Sequence, residues 1–118
     1  MKDYLDSLRY CFDNGDFVES RSGNVKKSFG YQMRFDLQKG FPAVTTKKLA
    51  WKGVISELLW FLEGSNDERR LAEILYEDKR ENLKEKKTIW TQNAKADYWK
   101  DKSQFDGDVG RIYGVQWR

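Results

Sequence analysis

The chain has 118 residues, carries 22 basic against 19 acidic side chains for a net charge of +3, and contains one cysteine and no histidine. That length holds one small domain, the mild charge excess gives no nucleic-acid signature, and a single cysteine excludes an internal disulfide. With one cysteine and no histidine a zinc site is not expected, and imidazole acid–base chemistry is excluded. Aromatic residues make up 15% of a chain that is 35% charged. Large rings bury large areas, so a partner chain or further segment is expected to cover some of them. No apolar run reaches membrane-spanning length and no signal peptide is visible at Met1–Lys2–Asp3, so the expected location is the cytoplasm.

Tyr4, Leu5, Leu8, Cys11 and Phe12 recur at helical spacing, which predicts a first helix stopped at Gly15. Cys11 lies on its apolar face and reads as a buried small residue rather than a reactive thiol. Phe29, Tyr31, Met33, Phe35 and Leu37 alternate with polar or small residues, the period of a strand with one buried face. Gly40–Phe41–Pro42 breaks that pattern with the only proline, and Ala43–Thr46 is a candidate second short strand. The run from Trp51 to Leu62 predicts a helix apolar enough to be buried on most sides, with Gly64 as its cap.

Residues 66–87 mix charges of both signs around a modest stripe of Leu71, Ile74 and Leu75, and read as a solvated helix and loop with local ion pairs. Apolar character returns at Thr88–Ile89–Trp90. Asp106–Gly107–Asp108–Val109–Gly110 is turn-rich. The chain ends on Tyr113–Gly114–Val115–Gln116–Trp117–Arg118 without a polar tail.

Four of these stretches, in order, resemble thymidylate synthase: Gly40–Lys48, Glu57–Leu62 with Gly64, Thr88–Trp90, and Tyr113–Arg118. Arg21, followed by Ser22–Gly23, stands where that family has its phosphate-binding arginine and small-residue loop. Phe29–Gly30 and Met33–Phe35 fit the strand that follows. The resemblance runs over essentially the whole chain. It implies an α+β fold, helices packed on a mostly antiparallel or mixed sheet, with residues 1–118 forming a single incomplete domain from the N-terminal portion.

It also implies the family's reaction: methylation of dUMP to dTMP, with 5,10-methylenetetrahydrofolate giving both the one-carbon unit and the hydride. Glu57 is the best catalytic candidate, because a carboxyl group among Ile55, Leu58 and Trp60 would be desolvated and able to shuttle protons. Its alternative is an ion pair with a buried base. Arg21 resembles the residue that binds the dUMP phosphate, since a planar fork of donors suits phosphate oxygens. Lys47 resembles the residue that meets the folate tail. Ile89 and Trp90 resemble the wall against the folate ring, with core packing as the alternative. Tyr113 resembles a tyrosine whose hydroxyl holds waters near carbon 5, or is structural.

Several positions depart from the pattern. The family's nucleophilic cysteine belongs to a later region, and Cys11 is not at that position. Asn24–Lys27 are more basic than the usual loop, Thr91–Gln92–Asn93 replace acidic and aromatic residues, and Arg111 stands where many members have proline. Alone, the chain is expected to be inactive without a C-terminal part, and a synthase-like dimer is the implied assembly. Two other readings compete: a non-catalytic binding or regulatory module built on the same layer, and part of a pyrimidine hydroxymethylase.

Overall fold

In the computed structural model residues 1–21 and 23–118 are described. They form two compact units, Met1–Leu49 and Ala50–Arg118, and each is taken by itself.

The first unit begins with helix α1, Lys2–Asn14, on the predicted periodicity. It stops where the Gly15 N–H donates to the Cys11 carbonyl at 2.9 Å. Gly15 has an extended backbone rather than a left-handed one. A glycine is required there by proximity: a Cβ would lie 2.4 Å from the Cys11 oxygen and 3.0 Å from that of Lys27. Strands β1, Asp16–Ser20, and β2, Gly23–Lys27, follow as an antiparallel hairpin that sets Val18 opposite Val25 and Ser20 opposite Gly23. Sequence periodicity gave no warning of it, because each five-residue strand carries few apolar residues to alternate. Cys11 is half-buried and its Sγ donates to the Lys26 carbonyl at 3.4 Å. The Lys26 ammonium donates in turn to the Phe12 carbonyl and lies over the rings of Phe12 and Phe17, 4.7 and 5.0 Å from their centres.

Beyond β2 the structure differs from expectation. The strand predicted over Phe29–Leu37 is not formed, and neither is the one at Ala43–Thr46. Their alternation is real, but a strand exists only through a ladder, and among the described residues the one sheet is the β1–β2 pair. Phe29 and Leu37 are largely exposed. Tyr31 packs on Tyr10 with ring centres 4.9 Å apart. A short 3-10 turn, Leu37–Lys39, is capped by the Asp36 carboxylate, which accepts the Gln38 N–H at 3.1 Å.

The second unit opens with helix α2, Trp51–Leu62. Gly64, at φ +69°, takes the left-handed turn after it, and its N–H donates to the Phe61 carbonyl at 3.0 Å. The expectation that α2 is buried on most sides is overturned. Only Ser56 and Trp60 are buried, while Ile55 and Leu59 remain 53% and 47% exposed. The reason is the number of neighbours: helix α3, Glu68–Tyr76, and the short helix α6, Tyr113–Gln116, are the elements packed against it. Three sides of an apolar helix need more cover than two elements provide.

Helix α3 starts at Asp67, whose carboxylate accepts the Arg69 N–H at 2.9 Å, and ends at Glu77 in the left-handed region. Its expected exposed pairs are present: Arg70 reaches Glu63 at 2.8 Å and Glu73 at 3.2 Å. The solvated reading nevertheless fails at two residues, since Glu68 and Arg69 are buried. Short helices α4, Thr91–Ala94, and α5, Asp97–Lys100, lead to the glycine turns at 107 and 110, both with positive φ. There Asp108 gathers the N–H groups of Gln104 and Gly110 and the Asn66 amide, each within 2.9 Å. The architecture is α+β, and among the described residues no helix is long and apolar enough to cross a membrane.

Candidate functional site

Four of the candidate residues, Glu57, Ile89, Trp90 and Tyr113, lie in the second unit. Glu57 lies on α2 one turn before Phe61, half-buried on the side facing the Thr88–Thr91 turn. That turn carries Ile89 and Trp90, and the Trp90 indole N–H donates to Glu57 Oε1 at 2.5 Å. Among the described residues no salt bridge reaches Glu57, and Lys52, the one base on α2, pairs with Glu77 at 3.0 Å. An indole can only donate, so it fixes one carboxylate oxygen and leaves the other free for a further proton-bearing group.

Tyr113, at the start of α6, completes the cluster. Its ring lies 5.2 Å from Phe61 and 6.0 Å from Trp90, edge to face in both cases. Phe61 is the hub, also meeting Trp117 at 5.6 Å and Trp90 at 6.3 Å. Edge-to-face rings of this kind add about 0.5–1.5 kcal/mol per pair beyond the area they bury. The cluster depends on a glycine. At Gly114 a Cβ would stand 2.6 Å from the Phe61 carbonyl oxygen, so only glycine lets α6 lie this close to α2. Arg118 ties the same end, its guanidinium donating to the Leu62 carbonyl at 2.6 Å. Trp60, fully buried beside Trp90 at 5.7 Å, has an indole N–H without a hydrogen-bond acceptor among the described residues.

An apolar cavity opens beside Glu57, walled by Gly53, Val54, Leu71, Leu75, Thr88 and Ile89. Ile89 itself is mostly exposed, its side chain free to meet a ligand. An apolar lining with the Glu57 carboxylate at one side suits an apolar molecule with a polar edge.

The remaining candidates belong to the first unit. Arg21 sits at the tip of the β1–β2 hairpin, exposed, while Ser22 lies outside the described residues. Lys47 is exposed in the bend after Pro42. One feature that sequence reasoning missed is the buried Glu68–Arg69 pair directly behind the Trp90 turn. Charged neighbours of both signs at 66–87 concealed it.

Comparison with known proteins identifies the family. The thymidylate synthase family model matches residues 2–118, and the chain belongs to that family, corresponding to its N-terminal portion. It is 44% identical to the thymidylate synthase of Enterobacteria phage T4 over its whole length, covering 40% of that relative. It is 42% identical to the thymidylate synthase of Francisella tularensis subsp. holarctica, covering 36% of it. The crystal structure of the phage T4 enzyme superposes with a TM-score of 0.82 over 100% of this chain and 40% of that one. The chain thus spans about two fifths of the length of the curated relatives it matches.

Proposed function

We propose that this chain supplies the N-terminal part of a thymidylate synthase, a single incomplete domain that a C-terminal part completes. The assembled protein methylates dUMP to dTMP with 5,10-methylenetetrahydrofolate as one-carbon and hydride donor. The observation that carries the reading is the convergence of Glu57, Trp90 and Tyr113 in a chain that matches the family from end to end.

Each residue has a role that its surroundings support. Glu57 keeps one oxygen on the Trp90 indole and offers the other to ordered water, through which protons reach the folate and the uracil ring. Ile89, exposed at the apolar cavity, and Trp90, held on Glu57 next to it in the chain, form the wall on which the folate ring lies, excluding bulk water from the one-carbon transfer. Tyr113 presents its exposed hydroxyl from α6 to hold water near carbon 5. Arg21 binds the dUMP phosphate from the hairpin tip, and Lys47 takes the anionic folate tail.

The family's reaction also needs a thiolate to attack carbon 6 of the pyrimidine. Cys11, the only cysteine of the 118 residues, is held on α1 with Sγ on the Lys26 carbonyl. Its place in the chain is not the family's nucleophile position. The chain alone is therefore inactive, and the C-terminal part of the family brings the nucleophile. Incubation with dUMP and methylenetetrahydrofolate, followed by dihydrofolate absorbance, tests this. No signal is expected from the chain alone, and turnover is expected once the C-terminal remainder of the phage T4 relative is added. Turnover by the chain alone would refute the assignment of the nucleophile. Formation of 5-hydroxymethyl product instead of dTMP would favour the hydroxymethylase reading.

A further inference from the structure

We propose that the buried Glu68–Arg69 pair is a positioning unit, which locks the Thr88–Thr91 turn so that the Trp90 indole is aimed at Glu57. The inference deepens the functional reading above and rests on it for its catalytic consequence.

The network is closed and directional. Arg69 grips the Glu68 carboxylate with two donors, Nε to Oε2 at 2.6 Å and Nη2 to Oε1 at 2.5 Å. Its other nitrogen, Nη1, donates to the carbonyls of Leu83 and Lys86 at 3.1 and 3.0 Å, which anchors the pair to the chain leading into the turn. A carboxylate only accepts, so the hydroxyls of Thr88 and Thr91 must both donate to Glu68 Oε1, at 2.6 and 2.5 Å. With their hydrogens committed, their lone pairs face the backbone. Thr91 Oγ1 accepts the Thr88 N–H at 2.8 Å, and Thr88 Oγ1 accepts the Trp90 N–H at 3.1 Å. The charge on Glu68 thus sets the direction of the two hydroxyl bonds that hold Thr88 and Thr91. From that frame the Trp90 side chain reaches Glu57, thirty-three residues earlier in the chain.

A pair that served stability alone is a weak device, because replacing both partners with apolar residues is often neutral. The same property supplies the test. In the 15N-labelled full chain, the five tryptophan indoles are separate probes, with Trp90 assigned through Trp90→Phe. The double variant Glu68→Leu/Arg69→Leu keeps an apolar filling while removing the network. Hydrogen exchange of the Trp90 indole is expected to rise about tenfold or more relative to Trp99, whose indole donates to the Asp108 carbonyl at 2.8 Å and serves as the internal control.

Equal protection of Trp90 in parent and variant, with Trp99 intact, overturns the proposal. If the double variant loses all indole signals together, Thr88→Val is read in the same way, since it removes the acceptor of the Trp90 N–H and one hydrogen bond to Glu68 while Arg69 still grips the carboxylate. In the enzyme assembled with the C-terminal part, kcat is expected to fall about tenfold or more with KM for dUMP little changed. A parent assembly without turnover would defeat the functional reading, while the exchange result would still decide the positioning role.

Discussion

At the scale of single residues, the arrangement makes Glu57 and its indole partner the most sensitive points. Glu57→Gln is expected to lower kcat of the assembled enzyme by about 100-fold or more, the usual cost of losing a positioned proton carrier, measured by dihydrofolate formation. Gly114→Ala puts a methyl group 2.6 Å from the Phe61 oxygen, so α6 must withdraw from α2. Near-ultraviolet circular dichroism should then lose part of the signal from Phe61, Tyr113 and Trp117. Glu68 carries a pH signature. Burial pushes its carboxyl up, but the hydrogen bonds from Arg69, Thr88 and Thr91 outweigh burial and hold it below the ordinary glutamate value of 4.5. A group lowered in the folded state contributes its stabilisation fully above the unfolded value and loses it as pH falls through the folded one. Urea midpoints should therefore stay flat above about pH 5 and drop below it, and the Glu68→Leu/Arg69→Leu variant should lose part of that drop. Little of this was legible in the sequence. Glu57 and Trp90 were marked by resemblance to a family, but Glu68 and Arg69 sit in a run of mixed charges where composition predicts solvation, and only tertiary packing distinguishes them from Arg70 beside them.

At the scale of elements, hydrophobic periodicity located α1 and α2 correctly, because each displays an apolar stripe over at least three turns. It missed the β1–β2 hairpin, whose strands have too few apolar residues to show a period. It also placed strands at 29–37 and 43–46, where the alternation has no ladder partner among the described residues. The start of α3 offers a direct check of local energetics. Asp67 caps the Arg69 N–H and also receives a hydrogen bond from the Arg80 guanidinium at 2.5 Å. Asp67→Ala should cost about 1 kcal/mol or somewhat more, seen as a lowered urea midpoint with unchanged slope.

At the scale of the whole molecule, the chain carries a family's N-terminal residues over about two fifths of the relatives' length. Its most apolar helix is left half-covered, with Ile55, Leu58, Leu59 and Leu62 all exposed. Large exposed apolar faces of this kind mark surfaces that another polypeptide segment covers. Leu59→Arg should therefore change the isolated chain's stability by no more than about 1 kcal/mol, while sharply weakening its assembly with a C-terminal part, as followed by size-exclusion chromatography. The central claim is that these residues form part of a dUMP-methylating site that a C-terminal part completes. It is tested most directly by dihydrofolate formation from dUMP and methylenetetrahydrofolate, with and without the C-terminal remainder of the phage T4 relative. Turnover only in the mixture is the predicted result. Turnover by the chain alone, or none from a mixture that demonstrably assembles, would contradict it.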